Sequence, residues 1–236
     1  MRVLALDTSS KAASCAFWDH DTLVGEFFVN TALTHSQTIL PMVDSLLKNA
    51  KRELKEVDVF AVSCGPGSFT GLRIGISAIK GMALSLDKPC APISTLWGLA
   101  LNLVGIPGLI VPVMDARRDQ VYTALFHSDG RTVRRITEDQ ALSIDQLRTL
   151  LREQPDDRGI LLVGDGAKLC FEHLGDDIPH LRTAPEALLY QRAGSFCTAA
   201  LEMAKNNQLV SAEELAPSYL RMPQAERERL EKEKGA

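Results

Sequence analysis

Ser63-Cys64-Gly65-Pro66-Gly67-Ser68-Phe69-Thr70-Gly71-Leu72-Arg73-Ile74-Gly75 is the stretch on which the reading of this chain turns. It follows an apolar run over 57–63 that reads as a buried strand, and it opens a helix over 70–86. Gly65 and Gly67 permit backbone angles and close approaches that a β-carbon resists. A helix N-terminus placed just after them offers unpaired N–H groups and a positive dipole end, suited to an anion or a carboxylate. The loop has no Gly-Lys-Ser/Thr, so it is not a P-loop, and its glycines at 65, 67 and 71 miss the dinucleotide spacing by one residue.

The helix carries a second signal. Gly71, Gly75 and Ala78 fall at steps of four and three, with Gly81 and Met82 one turn on, so these small residues share a face. Each interior glycine costs about 0.5–1 kcal/mol relative to alanine and is retained where another backbone comes close. That backbone belongs either to the chain's own sheet or to another subunit, and spacing alone favours the former.

Outward from this core, strands are expected over 3–7, 12–18 and 23–29, forming an antiparallel meander. Thr34-His35-Ser36-Gln37 resembles a capping box for a helix presenting Ile39, Leu40, Val43, Leu46 and Leu47, which Pro41 either delays or kinks. A strand over 90–94 and a helix over 95–104 follow, then Gly105-Ile106-Pro107-Gly108 breaks the chain. The second half restarts with strands over 109–115, 121–127 and 132–137, a capping box at Ser143 with a helix to about 153, a strand over 160–163 and a helix over 186–206. Each half opens with a strand ending in Asp (Asp7, Asp115) and then alternates helix and strand. A duplicated α/β unit with a cleft between its copies is expected, divided as 1–106 and 107–236, the last helix and tail being candidates to pack back on the first lobe. The tail after Pro223 mixes charges that nearly cancel and reads as a solvated end.

Composition narrows the function classes. The 236 residues are 45% hydrophobic and 24% charged with a net charge of −4, which argues against a free-standing nucleic-acid binder. Asp7 arrives too soon for a signal-peptide apolar region, and no apolar run is long enough to span a bilayer. The five cysteines, 15, 64, 90, 170 and 197, show no C-x-x-C, which suits reduced thiols in a cytoplasm. Cys64 reads as a buried strand-end thiol rather than a nucleophile.

Leu6-Asp7-Thr8-Ser9-Ser10, His35-Ser36, Ser63–Gly75, Asp115-Ala116-Arg117-Arg118 with Val121-Tyr122, Gly164-Asp165-Gly166 and Pro217-Ser218-Tyr219-Leu220-Arg221 occur in that order. Together they resemble the TsaB (YeaZ) family over nearly the whole chain. The resemblance implies an actin/Hsp70/sugar-kinase-like (ASKHA) fold, a duplicated ribonuclease-H-like two-lobe α/β architecture. It implies a role in forming N6-threonylcarbamoyladenosine at position 37 of ANN-decoding tRNAs. In that family a paralogous transferase, TsaD, performs the transfer, TsaB activates it as a scaffold, the ATPase TsaE is a third member, and tRNA is reached through the complex. A TsaB homodimer is the alternative state of the same helical face. That face is expected here to comprise His35, Leu40, Val43, Leu47, Gly71, Arg73, Gly75, Ala78 and Met82.

The catalytic paralogue's H-x-x-x-H metal pair has no counterpart among His20, His35, His127, His173 and His180. No metal site, no required cofactor and no catalytic residue are therefore expected. Asp7, Thr8 and Ser9 stand where this fold's first phosphate loop lies, Asp115 where its second does, and Gly164 and Gly166 on the adenosine side. ATP or ADP with magnesium is the ligand these positions imply; the competing reading of Asp7 and Asp115 is turn capping. The alternatives to a scaffold are a stand-alone ATPase or small-molecule kinase of the same fold, and a bare interaction module. A peptidase built on Ser63 or Ser68 with His35 lacks an oriented base and an oxyanion site in the sequence.

Overall fold

The computed structural model describes residues 1–31, 33–154 and 158–221. The continuous apolar run Val3-Leu4-Ala5-Leu6 sets the first strand, β1 (Arg2–Asp7), between an antiparallel neighbour β2 (Ala13–Asp19) and a parallel one, β4 (Val59–Gly65). With β3 (Thr22–Val29) and β5 (Cys90–Ser94) they form a sheet in the order β3-β2-β1-β4-β5. Two helices, α1 (His35–Ala50) and α2 (Phe69–Leu86), cover one face, burying Phe17, Phe60, Ile39, Leu46, Leu72 and Ile79.

The second half repeats the plan. Its central strand β6 (Gly108–Asp115) is flanked by β7 (Gln120–Thr123) and β11 (Ile160–Val163), with β10 (Gln140–Ser143) and β12 (Leu181–Thr183) outside them, in the order β10-β7-β6-β11-β12. Strand for strand this is the order of the first sheet, so the duplication read from the two Asp-terminated strands is present. The return strand expected over 121–127 is split into β7 and β8 (Phe126–Ser128), the latter pairing with β6 and with β9 (Val133–Arg135). Leu125 explains the break, because its N–H donates to Thr137 Oγ1 while its carbonyl accepts from Ile136 and Thr137. Sheet pairing cannot continue through a residue whose backbone groups are committed sideways.

The connecting helices are α3 (Thr95–Leu101), α4 (Ile144–Arg152), α5 (Ala167–Leu174) and α6 (Ala193–Lys205). The capping box at Ser143 is made, whereas Thr34 makes no side-chain cap and its hydroxyl faces Ser36 instead. α1 nevertheless starts at His35 and carries Pro41 within it. The helix expected over 186–206 begins only at Ala193. The carbonyls of Leu188 and Tyr190 accept from the Asn102 amide, that of Leu189 from Gly164, and that of Gln191 from Ser14. Four successive carbonyls bonded to distant partners leave none for a helical ladder.

Two helices cross the expected division at 106/107. Leu96, Leu99 and Ala100 of α3 belong to the second core, while Phe196, Cys197 and Ala200 of α6 pack on the first sheet's open face beside Ala5, Ala61 and Ile93. Gly98 lets the two helices meet, since a Cβ there would lie 2.5 Å from the Phe196 ring. Among the described residues no helix is long and apolar enough to cross a membrane. The charge-balanced tail beyond Pro223 lies outside the described residues.

Candidate functional site

The glycine loop is seated on the chain's own first turn. Ser68 N–H donates to the Ser9 carbonyl (2.7 Å), and a Cβ on Gly67 would sit 2.5 Å from that same oxygen. Ser68 Oγ caps α2 by accepting from Gly71 N–H (3.2 Å). Thr8 Oγ1 donates to the Gly71 carbonyl (2.7 Å), and a Cβ on Gly71 or Gly75 would lie 2.1 Å from Thr8 O or 2.4 Å from Thr8 Oγ1. These contacts correct the expectation that Gly71 and Gly75 belong to a subunit face: both are buried and turned inward. Their function is to admit the Thr8 backbone against α2.

The same face loses two more members. Val43 and Leu47 are buried in the first core, 4% and 7% exposed, because the α1 stripe Ile39-Met42-Val43-Leu46-Leu47 points at the sheet. His35 is half-buried, and its Nε2–H donates to the Ser10 carbonyl (2.7 Å), tying α1 to the first turn. What remains outward is Leu40, 51% exposed, with exposed Arg73 and half-buried His35, Ala78 and Met82. Leu40, Ile74, Ala78, Phe69 and the edges of Ser36 and Ser77 enclose a groove of about 660 Å³ between α1 and α2. Ile74 and Phe69 escape the sequence reading because attention falls on the small residues Gly71, Gly75 and Ala78, of which only Ala78 lines the groove.

Between the lobes lies a cleft of about 560 Å³, bordered by Ser9, Lys11, Gly67, Asp115, Asp165 and Arg221. Thr8 is buried beneath it, bonded to Gly71. Gly164 and Gly166 sit against β6 as Gly67 sits against Ser9: a Cβ on Gly164 would meet Val113 O at 2.2 Å, and Gly166 N–H donates to that carbonyl (3.1 Å). Asp165, the middle residue of the short Gly164-Asp165-Gly166 motif, is the acidic group of that turn. Its Oδ1 accepts from Asp115 N–H (3.3 Å), and burial, reinforced by the Asp115 charge, pushes its carboxyl up to about 6. Asp115 is exposed and accepts from Arg117 N–H (2.7 Å), the turn-capping role. Arg117, Arg118 and Asp119 form that turn with successive φ values of 63°, 55° and 54°.

Asp7 differs from Asp115. Its side chain has no exposed surface, its Oδ2 accepts from Ser9 N–H (3.3 Å), and its Oδ1 is buried without a hydrogen-bond partner, as is Ser63 Oγ. Burial raises its carboxyl above the ordinary range, against opposing contributions from Ser63, Ser9 and His35. A carboxyl whose folded pKa is raised stabilises fully below its unfolded value and loses that contribution as pH rises through the folded one. We therefore expect Asp7→Asn to match the wild type in urea midpoint near pH 4 and to exceed it progressively toward pH 8. A midpoint difference that stays flat or reverses with pH would overturn this assignment.

The peptidase geometry is not assembled. Ser68 Oγ is spent on the α2 cap, His35 on Ser10, and Ser63 is wholly buried. Burial pushes the Cys64 thiol up to about 12, so it is no thiolate at neutral pH. Among the described residues no three or more His, Cys, Asp or Glu side chains converge as a metal site.

A family model described as TsaD, tRNA N6-adenosine threonylcarbamoyltransferase, matches residues 29–228. The tRNA threonylcarbamoyladenosine biosynthesis protein TsaB of Bacillus subtilis is 31% identical over 234 residues, 99% of this chain and 100% of that protein. The chain belongs to the TsaB family. TsaB of Escherichia coli is likewise 31% identical, over 94% of this chain and 95% of its own. YeaZ from Pseudomonas aeruginosa superposes with a TM-score of 0.78 at 27% identity, covering 93% of this chain and 99% of that one. A Clostridium difficile dehydratase activator, solved with ADPNP, shares the fold at a TM-score of 0.51 and 10% identity. The TsaB-family chain thus has the actin/Hsp70/sugar-kinase-like two-lobe fold.

That fold type implies a nucleotide with magnesium, and the first-lobe residues here do not fit one. Asp7 is closed off beneath the turn, and Ser9's carbonyl is already engaged by Ser68 and overlaid by Gly67. The cleft is lined by Asp115 and Asp165 but not by Asp7.

Proposed function

We propose that this chain is a non-catalytic, cytoplasmic subunit that assembles with a TsaD-like transferase and activates it for N6-threonylcarbamoyladenosine formation at position 37 of ANN-decoding tRNAs. A TsaE-like ATPase completes the set, and tRNA is engaged through the complex. The observation that carries this reading is the apolar groove between α1 and α2, which the chain's own fold leaves uncovered. An uncovered apolar groove flanked by a half-exposed leucine suits a partner helix or a second copy of the chain. The burial of Asp7 supports the non-catalytic half, because a stand-alone ATPase of this fold would use that carboxyl on its metal.

The test is product formation on unmodified tRNA with purified transferase, ATPase, ATP and threonylcarbamoyl-adenylate, with and without this chain. Product is expected only when the chain is present, and the chain alone is expected to neither modify tRNA nor hydrolyse ATP. Equal product without it would sink the scaffold reading. Hydrolysis by the isolated chain that vanishes in Asp7→Asn would install the ATPase instead.

A further inference from the structure

After α6 the chain returns across the first lobe. Val210 pairs with Cys90 in both directions (2.8 and 2.9 Å), Ala212 and Leu215 enter the first core, and Lys80 Nζ donates to the Glu213 carbonyl (3.1 Å). The path is thereby fixed as far as Leu215. Beyond it, Ser218 N–H donates to the Cys64 carbonyl (2.7 Å), and Ser218 O lies where a Cβ on Gly65 would sit, 2.2 Å away. Gly65, at φ 127°, is thus needed both for its own backbone and for this crossing.

Tyr219 then stacks on Phe69 with centroids 4.9 Å apart, and Arg73 Nε donates to its hydroxyl (3.1 Å). The Arg73 guanidinium also lies 3.9 Å from the Phe69 ring centroid. Two residues later Arg221 Nη1 donates to the Ala116 carbonyl in the turn after β6 (3.2 Å). A segment of six residues therefore grips the first lobe at Cys64, Phe69 and Arg73 and the second lobe at Ala116, along the border of the cleft. Phe69 and Arg73 also border the α1–α2 groove.

We propose that residues 216–221 are a latch that holds the two lobes closed over the cleft, and that its hold is set from the α1–α2 face through Arg73 and Phe69. The latch itself is a property of the isolated chain; that its setting serves partner docking rests on the function proposed above. Its grip is light enough to release. Tyr219 is 36% exposed, and among the described residues the second-lobe end is one hydrogen bond from a guanidinium to a backbone carbonyl. A partner side chain that draws Arg73 into the groove removes the hydroxyl's partner and loosens the stack, freeing the lobes to part.

The experiment is a spin-label distance measurement on the full chain, with nitroxides on Asp44→Cys in α1 and Asp145→Cys in α4, both exposed. All five native cysteines are buried, so the labels attach at the introduced thiols. The parent gives one distance. Tyr219→Ala, Arg221→Ala and Arg73→Ala are each expected to add a second, longer distance while circular dichroism and the urea midpoint stay near those of the parent. The hydrogen bond of the Arg221 side chain among the described residues is to a second-lobe carbonyl, so its variant remains informative even where Tyr219→Ala disturbs the first lobe. An unchanged distribution in Arg221→Ala and Tyr219→Ala would overturn the latch, and one unchanged only in Arg73→Ala would overturn its control from the groove. None of these readings needs transferase or tRNA, so they stand or fall apart from the product assay.

Discussion

Gly75→Leu is expected to destabilise the chain by about 2–4 kcal/mol, while Gly81→Ala on the same helix stabilises it by about 0.5–1 kcal/mol. The two effects compete at each position. Replacing a mid-helix glycine gains about 1 kcal/mol of helix propensity. At Gly81 nothing lies within 4 Å of a new Cβ, so only the gain is felt. At Gly75 the new Cβ meets Thr8 Oγ1 at 2.4 Å and Val62 Cγ2 at 3.3 Å. Thr8 cannot withdraw without giving up the buried bond from its hydroxyl to the Gly71 carbonyl. Overpacking costs about 1–3 kcal/mol, and an abandoned buried polar group about 1–3 kcal/mol more. The steric terms win, and the loss is a large fraction of a stability of about 5–15 kcal/mol. Urea unfolding of the three proteins checks it. A Gly75→Leu midpoint equal to the parent's would return this glycine to the surface and undo the inward packing described here.

That same substitution marks where the sequence stops being sufficient. Helical spacing shows that Gly71, Gly75 and Ala78 share a face, but not which neighbour the face meets, because α2 is apolar on more than one side. The burial of Thr8 against it is a contact across 63 residues, and such contacts leave no local trace. The overall plan was legible for the opposite reason. Two strands ending in Asp, each followed by a returning strand, a helix and a glycine turn, are local patterns repeated in order. So were the Ser143 capping box and the strands over 90–94 and 160–163. What escaped was short or externally fixed. The three residues of β12 carry too little periodicity, and Leu188 to Gln191 look helical until Asn102, Gly164 and Ser14 claim their carbonyls. In the candidate site the positions of Asp7 and Asp115 were readable, but not that one is sealed and the other open.

Leu40→Asp and Ala78→Arg are expected to weaken association with the transferase about 30-fold or more each, the scale of a hot spot worth about 2 kcal/mol. Product formation should fall in step, and the urea midpoint should hold. The choice of residues matters more than their number. Val43 and Leu47 stand one turn and two turns from Leu40 on the same helix, yet a charge at either enters the core and unfolds the lobe, so lost binding there would say nothing about docking. Leu40 is half outside already, and Ala78 borders the groove, where an arginine has solvent to reach. Calorimetric titration reads the affinity, and a size-exclusion run of the chain alone reads self-association. If one face serves both the transferase and a second copy, the two variants must lose both together. Loss of the homodimer with the transferase affinity unchanged would place the activating contact elsewhere and leave the groove to self-association alone.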